Sequence, residues 1–340
     1  MDIRKIQKTG GSSYIVSLPK KWAKEQGIEK LDNSGEKAQV GIIERTDGTL
    51  IITPKIGGEQ EQKFKDINVD DITDERLLFR ILVGTYIMGY NVINITSKSR
   101  LDVGITKTVK SFIDDSIGLE IIQENQNSLK IKDLLNPADL SFNDWIERIS
   151  NLVKNRFIDA LVSLKDGDEE IANSVINRDN EVNRLRWLIA RQHNIFSKNL
   201  ILAEKLEMDQ KKIADYSSIS RIIERVGDHA VHVAKNNLIL IDKKIKPDLI
   251  ERIQKNGNGA VKIFTRSVKA FFDQDIHEAN RIIEDTADII SNCEQIGNLG
   301  LELESEAAIA VNAIAESIRR CVEYSTDLGE YIINYVIDEG

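Results

Sequence analysis

The chain has 340 residues, 41% of them apolar and 30% charged, with a formal net charge of −9. That length calls for two or three domains, and that composition supports a soluble globular protein with a sizeable core. No stretch approaches 18 uncharged apolar residues and the chain opens Met-Asp-Ile-Arg-Lys without an apolar signal core, so export and membrane spanning are not expected. Two cysteines, Cys293 and Cys321, are too few for a disulfide framework and lie in helical-looking segments, which fits a reducing cytoplasm. The charge is uneven. Residues 1–24 hold Arg4, Lys5, Lys8, Lys20, Lys21 and Lys24 against Asp2 alone, a local +5 that leaves −14 for residues 25–340. A basic end on an acidic body can hold a phosphate backbone while the body does other work; a solvated charge run is the plainer alternative.

In chain order, residues 3–8 and 14–18 read as short strands around Thr9-Gly10-Gly11-Ser12-Ser13. A helix from Lys20 to Gln26 follows Pro19 and stops at Gly27. Residues 38–44 and 49–53 form a second hairpin around Asp47-Gly48. A unit of roughly 55 residues can hardly bury a core alone, so a partner copy is expected. Residues 57–73, rich in Glu, Gln and Lys at their start, read as a linker. Residues 74–140 read as an α/β module with helices over 74–88 and 102–116 and strands over 92–95, 119–123 and 129–132. Nothing in the module has catalytic spacing, and its role is open.

From Ser141 the apolar spacing is helical to the end of the chain. This half repeats itself. Residues 168–176 echo 275–283 at an offset of 107, and residues 219–233 echo 318–332 at an offset of 99. Two three-helix units, over 141–244 and 245–340, are expected with antiparallel neighbours.

The second echo contains Glu224 and Asp228 in one copy and Glu323 and Asp327 in the other. Carboxylates at i and i+4 stand side by side on a helix and repel, a cost that a bridging hard cation removes. A wheel with Ile219, Ile223, Val226, Ala230 and Val233 on the core side turns Glu224 and Asp228 outward. A buried di-metal centre is thereby excluded, leaving a bare acidic face or a surface metal site. Asp179 and Asn183, also at i and i+4, are placed to complete the first set; Glu284 and Asp288 do so in the second only after a shift in alignment. His229 and His232 lie close enough to add a nitrogen ligand, although packing is the commoner role of such histidines. No Glu-x-x-His, P-loop, Gly-x-Ser-x-Gly, Cys-x-x-Cys or Gly-x-Gly-x-x-Gly occurs, so no catalytic set is visible and an enzyme is not expected.

Residues 3–28, through Thr9-Gly10, Val16-Ser17-Leu18-Pro19 and Gly27-Ile28, resemble the SpoVT/AbrB family. The resemblance implies a swapped-hairpin homodimer over 1–56 whose Arg4, Lys5, Lys8, Lys20 and Lys21 face DNA phosphates. In place of that family's usual Lys-Gly-Asp turn stands Leu31-Asp32-Asn33-Ser34-Gly35. Residues 141–338, through Ile223-Glu224-Arg225-Val226-Gly227-Asp228-His229-Ala230 and the run from Asp168 to Asn183, resemble the PhoU family. That resemblance implies tandem three-helix bundles that restrain phosphate uptake signalling. It also implies metal ions (iron, zinc, manganese or magnesium) on the bundle surface at Glu224, Asp228, Glu323 and Asp327. Together these give a multidomain α+β chain with an N-terminal β domain, a middle α/β module and an all-α C-terminal half. The function implied is a cytoplasmic DNA-binding regulator of phosphate uptake. The alternative is an adaptor that binds a phosphate transporter or sensor kinase and uses its N-terminal domain only to dimerise.

Overall fold

A computed structural model of the chain describes residues 3–28, 39–44, 48–54, 62–137, 141–206, 208 and 210–339. Their contacts separate a unit over 1–61 from a unit over 62–340. In the first, β1 (Gln7–Thr9) pairs antiparallel with β2 (Ser13–Ile15). Gly10 and Gly11 turn the chain at φ 58° and 85°, a region that costs other side chains dearly. Helix α1 (Lys20–Glu25) starts behind Pro19, and Gly27 follows it at φ 72°. Strands β3 (Gly41–Glu44) and β4 (Leu50–Thr53) form the second hairpin. Asp47 of its turn and the 31–35 departure lie outside the described residues.

No described residue of this first unit is buried. Ile3, Ile6, Tyr14 and Ile42 are 85%, 69%, 69% and 65% exposed, so these described apolar residues of the unit are not packed into a core.

The linker reading needs correction. Residues 57–61 lie outside the described residues, but β5 (Phe64–Asn68) is a strand of the middle sheet. It is an edge strand that buries only Ile67, and its remaining polar residues made it read as a connector. The sheet runs β5, β6 (Val92–Thr96), β8 (Ser128–Asp133), β7 (Leu119–Glu124), with β5 parallel to β6 and the other pairs antiparallel. Helices α2 (Glu75–Ile87) and α3 (Val103–Asp114) are capped by Asp74 and Asp102. Leu78, Leu82, Tyr86, Val109 and Phe112 from these helices share a core with Ile93, Ile95 and Ile131 of the sheet.

The helical half comprises α4 (Phe142–Asp166), α5 (Glu169–Asn177), α6 (Asp179–Phe196), α7 (Leu200–Lys205) and α8 (Gln210–Leu240). The second repeat follows as α9 (Pro247–Asp273), α10 (Ile276–Glu284), α11 (Ala287–Gly300) and α12 (Ser305–Glu339). Each repeat is three rods, as expected, but the second rod is broken in two: α5 with α6, and α10 with α11. Asp168 and Asp275, 107 residues apart, cap α5 and α10 from the same repeat position. At the same offset an ion pair recurs with its signs exchanged, Asp159–Arg178 at 2.9 Å against Arg266–Asp285 at 2.6 Å. The two repeats share one apolar core, with α8 packed along α12 and α4 along α9. Among the described residues no helix is long and apolar enough to cross a membrane.

Helix α6 joins the middle module to this bundle. Asn180, Arg184, Trp187 and Arg191 recur at helical spacing and face the module. Asn180 donates to Asp115 at 2.8 Å, Arg184 donates to the Ser116 carbonyl at 3.1 Å, and Trp187 meets Phe79 edge-on. Arg191 is 1% exposed; it donates to the Tyr86 and Tyr90 carbonyls and pairs with the equally buried Asp133 at 2.5 Å. Its guanidinium also lies 4.8 Å from the Tyr86 ring centre. Val182, Leu185 and Ile189, on the other side of α6, enter the bundle core.

Removing one partner of such a pair strands a buried charge. Arg191→Met is therefore expected to lose about 3–5 kcal/mol of stability, and Arg191→Met with Asp133→Leu to recover most of it. Urea unfolding of the three proteins checks this; equal losses in the single and double variants would contradict it.

Candidate functional site

The first-repeat residues do converge. Asp179 starts α6, and Asn183 donates to its carboxylate at 3.4 Å one turn on. Glu224 and Asp228 lie on α8, which packs against α6. Gly227 between them lets α8 approach α4: a Cβ there would meet Val153 at 3.0 Å, so this helix-interior glycine has a packing reason. Asp228 is exposed, as the wheel requires, but Glu224 is only 17% exposed because Arg186 of α6 leans over it.

The arginines were not foreseen. The Arg186 Nε lies 3.1 Å from Glu224, and the Arg156 Nη1 lies 3.2 Å from Asp179. Arg156, on α4 and 3% exposed, also donates to the Arg178 carbonyl. Position 186 lies seven residues after Asp179 and three after Asn183, hence on their face of α6; that spacing was the available signal. Although Asp228 as a residue is exposed, protein packed around its carboxyl partly desolvates it and, with the negative charges of Glu224 and Asp179 next, raises it to about 6, Arg156 and Arg186 opposing.

The second set is arranged differently. Glu323 is held by Arg319 and Arg320, and both arginines also grip Glu316. Burial raises Asp327, Glu330 adds to the effect, and Arg225 of α8 opposes it. Asp179 and Asn183 correspond at the 107 offset to Thr286 and Ile290, so this copy has no second-rod carboxylate at those two positions. Glu284 instead accepts from Asn280 at 2.9 Å.

His229 is a packing residue: its ring lies 5.7 Å from that of His232 and 5.8 Å from that of Tyr324. Its Nδ1 is buried without a hydrogen-bond partner, and burial, with His232 next, lowers it to about 4. Among the described residues no three His, Cys, Asp or Glu side chains come together as a ligand set. Of the donors expected to hold a metal ion, Asp179, Glu224 and Glu323 are already paired with guanidinium groups, and the residues as placed do not fit one.

The described basic residues of the first unit, Arg4, Lys5, Lys8, Lys20, Lys21 and Lys24, are exposed. Arg4 and Lys5 precede β1, Lys8 lies on it, and Lys20 and Lys21 form the first turn of α1, with Lys21 4.0 Å from Glu25.

Comparison with known proteins bears on this arrangement. The family model described as "PhoU domain" matches residues 146–236, which run from α4 to α8 and contain the whole first carboxylate set. The chain carries a PhoU domain. Its relatives include the phosphate-specific transport system accessory protein PhoU homolog 1 of Thermotoga maritima, 24% identical over 55% of this chain and 82% of that protein. The PhoU homolog of Clostridium acetobutylicum is 25% identical over 55% of this chain and 84% of its own length. The PhoU crystal structures from Streptococcus pneumoniae and Pseudomonas aeruginosa each superpose with a TM-score of 0.51 at 18% identity, over 58% of this chain and 94% and 96% of theirs. These share the fold of the PhoU-like half. The model of the antidote-toxin recognition MazE family of bacterial antitoxins matches residues 7–60, the segment with the SpoVT/AbrB resemblance.

Asp228 and His229 respond oppositely to acid. Asp228 is raised, so between about 6 and its ordinary value near 3.8 the folded state holds a proton that the unfolded state lacks, and stability rises as pH falls. His229 is lowered from 6.5, so between there and about 4 the unfolded state holds the extra proton, and stability falls as pH falls. Asp228→Asn is therefore expected to steepen the loss of Tm between pH 6.5 and 4.5, and His229→Gln to flatten it. Melting curves across that range check both; parallel profiles for all three proteins would contradict the assignment.

Proposed function

We propose that this chain is a phosphate-signalling regulator that binds DNA as a dimer through its N-terminal unit. In this reading the PhoU-like half engages a component of phosphate transport or its sensor kinase. The single observation that carries the DNA half is a basic unit with no described buried residue: Arg4, Lys5, Lys8, Lys20 and Lys21 are exposed around β1 and on α1, and the described apolar residues of the hairpins are not buried. A second copy would supply the missing core, and the cations would then line a surface that neutralises phosphates. The phosphate half rests on the PhoU domain and on relatives named as phosphate-specific transport accessory proteins. Neither half calls for catalysis or a bound metal.

Fluorescence anisotropy of a labelled duplex, titrated with the full chain at several salt concentrations, tests this. Affinity is expected to fall linearly in log–log form. Lys20→Glu with Lys21→Glu should weaken binding and reduce the slope by about four, since the dimer loses two contacts from each copy. A variant that keeps full, salt-dependent affinity would remove these lysines from the interface. No binding by the parent chain at low salt would favour the adaptor that uses its hairpins only to dimerise.

A further inference from the structure

We propose that in this chain arginine side chains take the place of a metal ion at the carboxylate set of the PhoU-type bundle. The inference goes beyond the proposed function, which stands whether or not a metal is bound.

Three of the carboxylates are paired with a guanidinium from a different turn or helix, while Asp228 and Asp327 interact with arginines only at longer range. Asp179 is held by Arg156 from α4, and Glu224 by Arg186 from α6. Glu323 is clamped by Arg319 and Arg320, and Asp327 feels Arg225 from α8. A divalent ion bonds carboxylate oxygen at about 2.0–2.2 Å. The Arg186 Nε lies 3.1 Å from Glu224, so a positive charge already stands beside that carboxylate, although the Nε–H is not aligned on it as a hydrogen bond. Arg156 is 3% exposed and anchored at the Arg178 carbonyl, so it is a built-in partner and not a surface side chain free to swing away. Two fixed positive charges beside Asp179, Glu224 and Asp228 also repel a third cation. The repulsion between carboxylates at i and i+4, which a bridging cation would remove, is reduced here by planar guanidinium groups that cannot be deprotonated.

The inference has consequences for variants. Arg186→Glu places a third carboxylate beside Glu224 and Asp228 and deletes one of the two opposing charges. It is expected to melt lower than the parent without metal and to gain Tm on addition of manganese(II). The experiment is thermal denaturation of the full chain, purified without a histidine tag, across a manganese(II) titration, with bound metal measured by mass spectrometry after gel filtration. Arg186→Gln is run beside Arg186→Glu, so that a reading survives if the latter does not fold. The expected result is less than one bound ion per several parent chains, no shift of the parent Tm, and uptake with a rising Tm in an Arg186 variant. A stoichiometric ion in the parent, lost in Glu224→Ala with Asp228→Ala, would overturn the proposal by showing that the arginines yield. Absence of uptake in the parent and in both Arg186 variants would also overturn it, because arginine would then not be what excludes the metal.

Discussion

The Arg191–Asp133 pair is the contact on which the arrangement of residues 62–340 rests. Both groups are almost completely buried, so the charges are affordable only together, and with the Tyr86 and Tyr90 carbonyls they leave little freedom in how α6 meets the sheet. The same helix carries Val182, Leu185 and Ile189 into the bundle and starts with Asp179 at the carboxylate set. One rod thus serves three faces: module, core and candidate site. A shift of the module relative to the bundle would move Asp179 and Arg186 against Glu224.

Arginine recurs as the balancing element. It ties the break between α5 and α6 through Asp159–Arg178 and, with signs exchanged, the break between α10 and α11 through Arg266–Asp285. The exchange at one repeat position preserves an attraction while altering both residues, as two copies that diverged under the same geometric demand would do. The carboxylates at Asp179, Glu224 and Glu323 are answered in the same manner. The bundle surface is therefore laced with ion pairs, which is why the net negative charge of this half does not become a bare acidic face.

Much of this was legible in the sequence where periodicity decides it. The hairpins, the glycine turns at Gly10 and Gly48, the caps at Asp168 and Asp275 and the helical duplication all follow from local spacing. Strand β5 was not legible, because an edge strand burying one side chain has the composition of a linker. The breaks at Arg178 and near Asp285 were missed because apolar spacing continues across them. The outward turn of Asp228 was readable from α8 alone, whereas the half-burial of Glu224 depends on Arg186 of another helix. A wheel drawn for one helix sees its own faces and no neighbour. The stripe Asn180, Arg184, Trp187 and Arg191 was on the page as spacing, yet its partners lie in the middle module, more than 50 residues earlier in sequence.

The N-terminal unit supplies the remaining constraint. Short hairpins with exposed isoleucines and five lysine or arginine side chains demand company on their apolar side and favour a polyanion on the other. The proposed DNA binding rests on this unit, carried on the same chain as a PhoU domain. Sedimentation velocity of the full chain, alone and with a duplex of about 30 base pairs, tests that claim most directly. The account predicts a concentration-dependent dimer that sediments with DNA at two chains per duplex and leaves it as salt is raised. A chain that stays monomeric at every concentration and never co-sediments with DNA would contradict it.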